Sequence, residues 1–147
     1  MAKIRLTKEF SFEMAHALDG YDGKCKNIHG HSYEFKVTVI GEPVKDENSP
    51  KNGMVMDFGD LKHIVKEAVV DRFDHALMLK KSDTSEKLIG QQYANRLVLV
   101  DFQPTCENML DYFAKEISKR LPANIQLHSL FLRETPTSFA EWYASDN

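Results

Sequence analysis

The chain has little of what marks a secreted, membrane or nucleic-acid-binding protein. Two cysteines in 147 residues are too few for a disulfide framework, which indicates a reducing compartment. No run approaches the ~20 apolar residues that a membrane span needs, and residues 1–6 alternate apolar and charged side chains instead of forming a signal peptide's apolar core. The net charge of -3 gives no general attraction to nucleic acid or to an anionic membrane. We therefore expect a soluble cytoplasmic protein with neither of those partners.

Repeats, low-complexity segments and linkers are also missing from the sequence. A hydrophobic content of 42% over this length is enough for one core. The sequence therefore predicts a single domain spanning residues 1–147.

Two segments show the alternation typical of half-buried strands, residues 4–16 and residues 33–39. His16 continues the apolar side of the first segment, and His29 and His31 extend the apolar side of the second segment backwards. If the two strands pair as an antiparallel hairpin, the three rings converge on one face at one end.

The rest of the chain predicts two helices and a few short strands. One helix follows the potential cap Asp57 and ends near Phe73, and the other follows Thr105 and ends before Pro122. An α+β domain is the simplest account. The remaining predictions are a surface loop at 42–53, strands at 54–56, 97–100 and 125–134, and a loop with a short helix at 88–93 within 80–96.

The histidines predict a zinc site at His16, His29 and His31. Three neutral imidazoles hold zinc while leaving a fourth position open, as in catalytic sites. A His-x-His pair alone is a weak signal, and ordinary hydrogen-bonded histidines are the competing interpretation. A structural zinc is a further alternative, with its fourth ligand among Cys25, Cys106 and His75.

Cys25 lies in a polar segment, so we expect its thiol to be accessible. Lys24 and Lys26 beside it, together with a nearby divalent ion, would favour the thiolate, which can act as a proton-transfer base. On the sequence alone, a surface thiol without a function is equally consistent.

The adjacent pair Asp74 and His75 follows the first predicted helix. A carboxylate can fix the tautomer of a neighbouring imidazole and form a relay with a cysteine. This requires a turn, which the helix end supplies. A salt-bridged pair that merely ends the helix is the interpretation that the sequence alone favours.

Two glutamates are candidates for ligand binding. Glu134 ends an apolar strand, where a carboxylate needs a partner; either an arginine or the planar N–H groups of a pterin would satisfy it. Glu107 lies in the first turn of the second helix, where stabilisation by the helix dipole is the alternative explanation.

Taken together, these residues resemble the 6-pyruvoyl-tetrahydropterin synthase / 6-carboxytetrahydropterin synthase family almost end to end. The three residues between Cys25 and the His-Gly-His motif resemble the bacterial queuosine branch of that family. The resemblance is carried by Phe12-Glu13-Met14-Ala15-His16, Cys25-Lys26-Asn27-Ile28-His29-Gly30-His31, Met56-Asp57-Phe58, Phe73-Asp74-His75, Pro104-Thr105-Cys106-Glu107-Asn108 and Arg133-Glu134-Thr135.

The resemblance implies a tunnelling fold (T-fold), with an antiparallel four-stranded sheet and two helices on one face. It implies trimeric barrels that stack into a homohexamer, with active sites between subunits. It also implies roles for the candidate residues: zinc at His16, His29 and His31, proton transfer by Cys25 with Asp74 and His75, and pterin binding by Glu134 and Glu107.

The implied activity is zinc-dependent conversion of 7,8-dihydroneopterin triphosphate to 6-carboxy-5,6,7,8-tetrahydropterin, acetaldehyde and triphosphate, in queuosine biosynthesis. The alternatives are 6-pyruvoyl-tetrahydropterin synthase activity and a non-catalytic, zinc-stabilised pterin-binding or scaffold protein. The sequence departs from the family pattern at Cys106, where relatives often have Ser or Thr. It also departs in the long stretch 83–100.

Overall fold

The two alternating segments form the longest strands of the protein. In the computed structural model, which describes residues 2–147, β1 (Ile4–His16) and β2 (His29–Gly41) pair antiparallel over their whole length. Gly41 lies opposite Ile4, and His29 lies opposite His16. The predicted hairpin pairing is confirmed.

Four further strands complete the sheet: β3 (Ala76–Lys80), β4 (Leu97–Val100), β5 (Gln126–Thr135) and β6 (Ser138–Tyr143). The order is β4-β3-β1-β2-β5-β6. The portion β1-β2-β5-β6 is antiparallel, whereas β3 runs parallel to β1 and β4 parallel to β3. The sheet is therefore mixed and six-stranded, and the expected four-stranded antiparallel sheet is only part of it.

The helices begin where the sequence places their caps. Asp57 accepts a hydrogen bond from the N–H of Gly59, and α1 (Phe58–Val65) continues through a π-helical segment (Lys66–Val70) into α2 (Asp71–Phe73). The short α3 (Asp83–Glu86) follows β3. Thr105 caps α4 (Cys106–Ser118) by accepting from the N–H of Asn108.

The core lies between the helices and one face of the sheet. Phe113 of α4 stands at its centre, with its ring packed against the rings of Phe12, Phe35 and Phe73. The opposite face of β1 is exposed, as its polar residues predict. Helices packed on one face of this largely antiparallel, mixed sheet confirm the α+β class.

Several local predictions were wrong. Residues 54–56 form no strand, because the Met54 carbonyl accepts from the N–H of Val44 and its N–H donates to the Lys51 carbonyl, which closes a local loop. The short helix lies at Asp83–Glu86 instead of 88–93, because Ser82 caps it and bonds Ser85 reciprocally. Strands β3 and β6 had not been predicted. Among residues 2–147 no helix has the length and apolarity to cross a bilayer.

Candidate metal centre

Strand register brings the three candidate histidines together. His16 lies opposite His29, and His31 lies opposite Met14, two positions back along β1. The ring centroids are 4.6 Å apart for His16 and His29, 5.1 Å for His16 and His31, and 4.9 Å for His29 and His31. One nitrogen from each ring lies within 4.8 Å of the others, so the three imidazoles can hold a metal ion.

Backbone carbonyls fix which nitrogen of two rings carries the proton. The Nδ1 atoms of His16 and His29 each lie 2.7 Å from a carbonyl oxygen, of Pro104 and Asn27 respectively. Because a carbonyl only accepts, each Nδ1 donates and each Nε2 keeps a free lone pair. Metal-binding histidines are held in this way by their second nitrogen.

The three Nε2 atoms share a further property. Each is buried and has no hydrogen-bond partner among residues 2–147. Buried polar atoms without partners are rare because they lose hydration without compensation. Three of them pointing at one small volume fit a divalent cation, which would accept all three lone pairs.

Burial also prepares these rings for metal binding. Desolvation lowers the pKa of His16 and of His31, although the nearby Glu134 carboxylate acts in the opposite direction. The neutral imidazole, which is the form that binds metal, is therefore favoured.

Glu134 lies directly beside this cluster. Its Oε1 atom is 3.5 Å from Nε2 of His16 and 3.8 Å from Nε2 of His31, too far for direct hydrogen bonds. The partner that satisfies it is the Tyr33 hydroxyl, which donates at 3.2 Å and whose pKa is raised by burial. The arginine alternative is not observed, because neighbouring Arg133 pairs with Glu34 at 3.2 Å instead.

Open space adjoins the carboxylate and the metal cluster. A cleft of about 630 Å³ is bordered by His31 of the cluster and by Glu134. A shallower depression of about 320 Å³ has His31 and His75 on its walls. A small molecule in the larger cleft would therefore contact both His31 and Glu134.

The turn expected at Asp74 and His75 is present. His75 has a positive φ of 62°, an uncommon conformation for a residue other than glycine, and its Nδ1 lies 3.1 Å from Oδ1 of Asp74. The same carboxylate oxygen accepts from the N–H of Glu13 at 2.9 Å, which lowers the pKa of Asp74. The His75 side chain is 72% exposed, so the pair faces outward from this chain.

The two cysteines have different environments. Cys25 is half-buried in the 3-10 turn Lys24–Lys26. Its carbonyl accepts a hydrogen bond from the N–H of Leu18, just after β1. Its thiol makes no hydrogen bond within the described chain. Cys106 is buried, its thiol donates to the Leu132 carbonyl at 3.5 Å, and burial raises its pKa to about 12.

The alternative fourth ligands are not part of the cluster. Over residues 2–147, the group of converging ligand atoms contains only the three histidines and neither Cys25, Cys106 nor His75. Glu107 is exposed in the first turn of α4. Among residues 2–147, a metal ion at this position would therefore be held by the three histidines, with neither cysteine nor His75 as a fourth ligand.

Sequence reasoning missed the groups that support the site. Tyr33 shares the histidine side of β2, and this parity could have placed it beside the cluster, although its bond to Glu134 depends on the strand order. The carbonyls of Pro104 and Asn27 gave no such signal, because any residue has a carbonyl and only the fold decides what it meets.

Residues 5–145 match the profile of the family described as 6-pyruvoyl tetrahydropterin synthase. The chain belongs to this family. It is 42% identical over 144 residues to a 6-carboxy-5,6,7,8-tetrahydropterin synthase of Haemophilus influenzae, covering 95% of this chain and 98% of that protein. It is 32% identical to the protein of the same name from Rickettsia felis, covering 94% and 99%.

Solved structures show that the fold of this family member is shared. An uncharacterized protein from Wolinella succinogenes superposes with a TM-score of 0.78 at 20% identity, covering 98% of this chain and 99% of that one. The 6-pyruvoyl tetrahydropterin synthase of Caenorhabditis elegans gives 0.68 at 24% identity, covering 98% and 97%.

Proposed function

We propose that this protein is a zinc-dependent 6-carboxy-5,6,7,8-tetrahydropterin synthase, which converts 7,8-dihydroneopterin triphosphate to that product, acetaldehyde and triphosphate in queuosine biosynthesis. Relatives that are 42% and 32% identical to this chain carry this name, and the alignments cover nearly the full length of both proteins. The observation that carries the proposal is the convergence of three buried, unpartnered Nε2 atoms beside an open cleft.

The donor set supports zinc as the metal. Three neutral nitrogen ligands with an open fourth position match the pattern of catalytic zinc. A zinc ion held there supplies Lewis-acid polarisation to the two hydroxyl groups of the substrate side chain. Metal analysis of the purified protein tests this assignment, and about one zinc per chain is the expected result.

The sheet order suggests how a pterin lies in the site. Glu134 is on β5, His29 and His31 are on the adjacent β2, and His16 is on β1. The Glu134 Oε1 atom is 3.5 Å from Nε2 of His16 and 3.8 Å from Nε2 of His31, so the carboxylate directly borders the metal position. In this proposal Glu134 accepts from the pterin N–H edge and supplies orientation, with Glu107 as a further pterin contact.

The remaining candidates handle protons. Cys25 removes and returns protons as the side chain tautomerises, and His75, oriented by Asp74, sets the protonation of the thiol. Replacing Cys25 by Ala should leave the metal bound and abolish most turnover. Loss of zinc in Cys25→Ala would instead identify Cys25 as a ligand and support a structural zinc site.

We also propose a cytoplasmic homohexamer of two stacked trimers with sites between subunits. The support within one chain is that His75 is largely exposed and that the Cys25 thiol has no hydrogen-bond partner among residues 2–147. Light scattering should give a mass near six chains. Mixing Cys25→Ala with His75→Asn subunits should restore activity if two chains form each site, and no recovery would contradict shared sites.

The activity itself has a direct test. Purified protein is incubated with 7,8-dihydroneopterin triphosphate and zinc, and the products are identified by mass spectrometry. The 6-carboxy product with acetaldehyde is expected. Triphosphate loss with a pyruvoyl product would select 6-pyruvoyl-tetrahydropterin synthase activity, and unchanged substrate would select a non-catalytic pterin-binding role.

A further inference from the structure

The segment between β3 and β4 is the part of the chain that neither the sequence nor the proposed function explains. It consists of turns around the short α3, and it ends at Arg96, immediately before β4. The Arg96 side chain donates hydrogen bonds to three backbone carbonyls, and all three lie at one turn.

The guanidinium group of Arg96 donates hydrogen bonds to the backbone carbonyls at the end of α2. Its Nη2 donates to Asp71 at 3.1 Å, Arg72 at 3.2 Å and Asp74 at 2.9 Å, and its Nε donates to Asp74 at 3.1 Å. The last carbonyls of a helix have no partner within the helix, and a cation there is also favoured by the helix dipole.

The backbone of Arg96 holds the other side of the same turn. Its carbonyl accepts from the N–H of Leu77 at 3.0 Å, where β3 begins to pair with β4. Asp74 and His75 therefore lie between two points that Arg96 fixes, the helix end before them and the strand after them. The positive φ of His75 makes this support important, because that conformation is disfavoured for a side chain with a Cβ.

We propose that Arg96 is a positioning residue that holds the Asp74–His75 pair in the geometry needed for proton transfer. The proposal rests on the role given above to His75. This proposal gives a structural role to the long stretch 83–100, which places Arg96 against the turn and adds β4 beside β3.

The first test compares three variants by kcat, KM and zinc content. Arg96→Ala should lower kcat by about 10- to 100-fold, since a misplacement of about 1 Å has effects of that size, with KM and zinc unchanged. Arg96→Lys should also lose activity, because lysine has no counterpart of the Nε donor that, together with Nη2, binds the Asp74 carbonyl at two points. If Arg96→Ala does not fold, Arg96→Lys carries the test.

Arg120→Ala is the matched control. Arg120 also donates to a carbonyl near a helix end, that of Glu116 at 2.8 Å, but at the end of α4. This variant should lose a helix-end contact of the same kind and keep kcat within about twofold of the wild type. An equal loss of kcat in both variants would overturn the proposal.

A double variant separates positioning from general stability. If Arg96 acts through His75, adding Arg96→Ala to His75→Asn should lower kcat no further. The same fold-loss in both backgrounds would show that Arg96 acts elsewhere.

A measurement without substrate keeps this proposal separate from the proposed function. Hydrogen exchange at the Asp74 and His75 amides, which bond Val70 and Glu13, should accelerate at least about tenfold in Arg96→Ala, while exchange at His31 stays unchanged. Unchanged exchange at the turn would refute the positioning role whatever reaction is catalysed. Accelerated exchange in a protein that leaves the triphosphate unchanged would refute only the function.

Discussion

The metal cluster and the Asp74–His75 turn border the same depression but are held by different kinds of structure. The three imidazoles are fixed by a continuous antiparallel pairing and by carbonyls that set two of their tautomers. The Asp74–His75 pair depends on a single turn with a positive φ. Its support comes from distant parts of the chain, the backbone of Glu13 and the side chain of Arg96.

This difference shows that the histidine cluster is preorganised and that the Asp74–His75 turn is less so. The three candidate metal ligands are buried or half-buried, so their geometry is determined before any ligand arrives. His75 is 72% exposed, so its final environment depends on what packs over it. Substitutions in the first region should therefore remove the metal, and substitutions in the second should alter turnover alone.

Removing a metal ligand should have the largest effect. In His29→Ala the zinc content should fall close to zero and kcat/KM by about a thousandfold or more, since metal catalysis contributes several kcal/mol. Elemental analysis and steady-state kinetics measure both quantities. His63→Ala, at a residue 80% exposed on α1, is the control and should retain zinc and activity. Full zinc retention in His29→Ala would contradict the three-histidine site.

Removing the imidazole of the turn should affect turnover alone. His75→Asn keeps a residue that tolerates positive φ, and we expect kcat to fall by about 10²- to 10⁴-fold with zinc content unchanged. The melting temperature should move little, because the side chain is exposed. Zinc loss in this variant would erase the distinction between the two regions.

Acid should separate the regions in the zinc-free protein. Burial lowers the pKa of His16 in the folded protein below its ordinary value of 6.5. At a pH between the folded and unfolded pKa values, the unfolded chain therefore binds more protons than the folded one, and the free energy of unfolding falls as the pH falls. The pKa of Asp74 is lowered from 3.8, so its contribution is lost only at lower pH. Urea unfolding should show declining stability from about pH 6.5 towards pH 5, whereas His75 amide protection persists. A flat stability profile over that range would contradict the prediction.

The smallest effect should come from the cap of α4. Thr105→Ala removes the bond to the Asn108 N–H and should cost about 1 kcal/mol of unfolding free energy. Thr105→Ser keeps the hydroxyl and is the control. Because the adjacent Pro104 carbonyl bonds His16, zinc affinity measured by competition with a chelator should weaken slightly in the alanine variant. An unchanged free energy of unfolding would show that the cap contributes nothing.

The fold was predictable where two segments with the same alternating pattern pair with each other. The alternation in residues 4–16 and 33–39 predicted both strands, whose pairing was assumed and is observed, and Asp57 and Thr105 predicted both helix starts. Strand β3 was missed because it is a five-residue, mostly apolar run without alternation. Strand β6 was missed because its six residues carry apolar side chains on both faces and so do not alternate either.

The candidate site was predictable to a similar degree. Parity alone predicted the convergence of the three histidines, and the resemblance named the same residues. Their roles, and those of Cys25, Asp74, His75, Glu107 and Glu134, stay predictions. The pairing of Glu134 with Tyr33 and the approach of Arg96 to the turn could not be predicted, because both depend on strand order and on contacts between residues far apart in the chain.

The sequence by itself determined the candidate histidines and the side of the sheet on which they lie, because side chains two residues apart on a strand always point to the same face. Only the tertiary structure decided which nitrogens are free, which carbonyls hold the rings, and how the turn at His75 is supported. These features require atoms from separate segments to meet, and the local pattern of a segment contains no information about which distant carbonyl or guanidinium group will reach it.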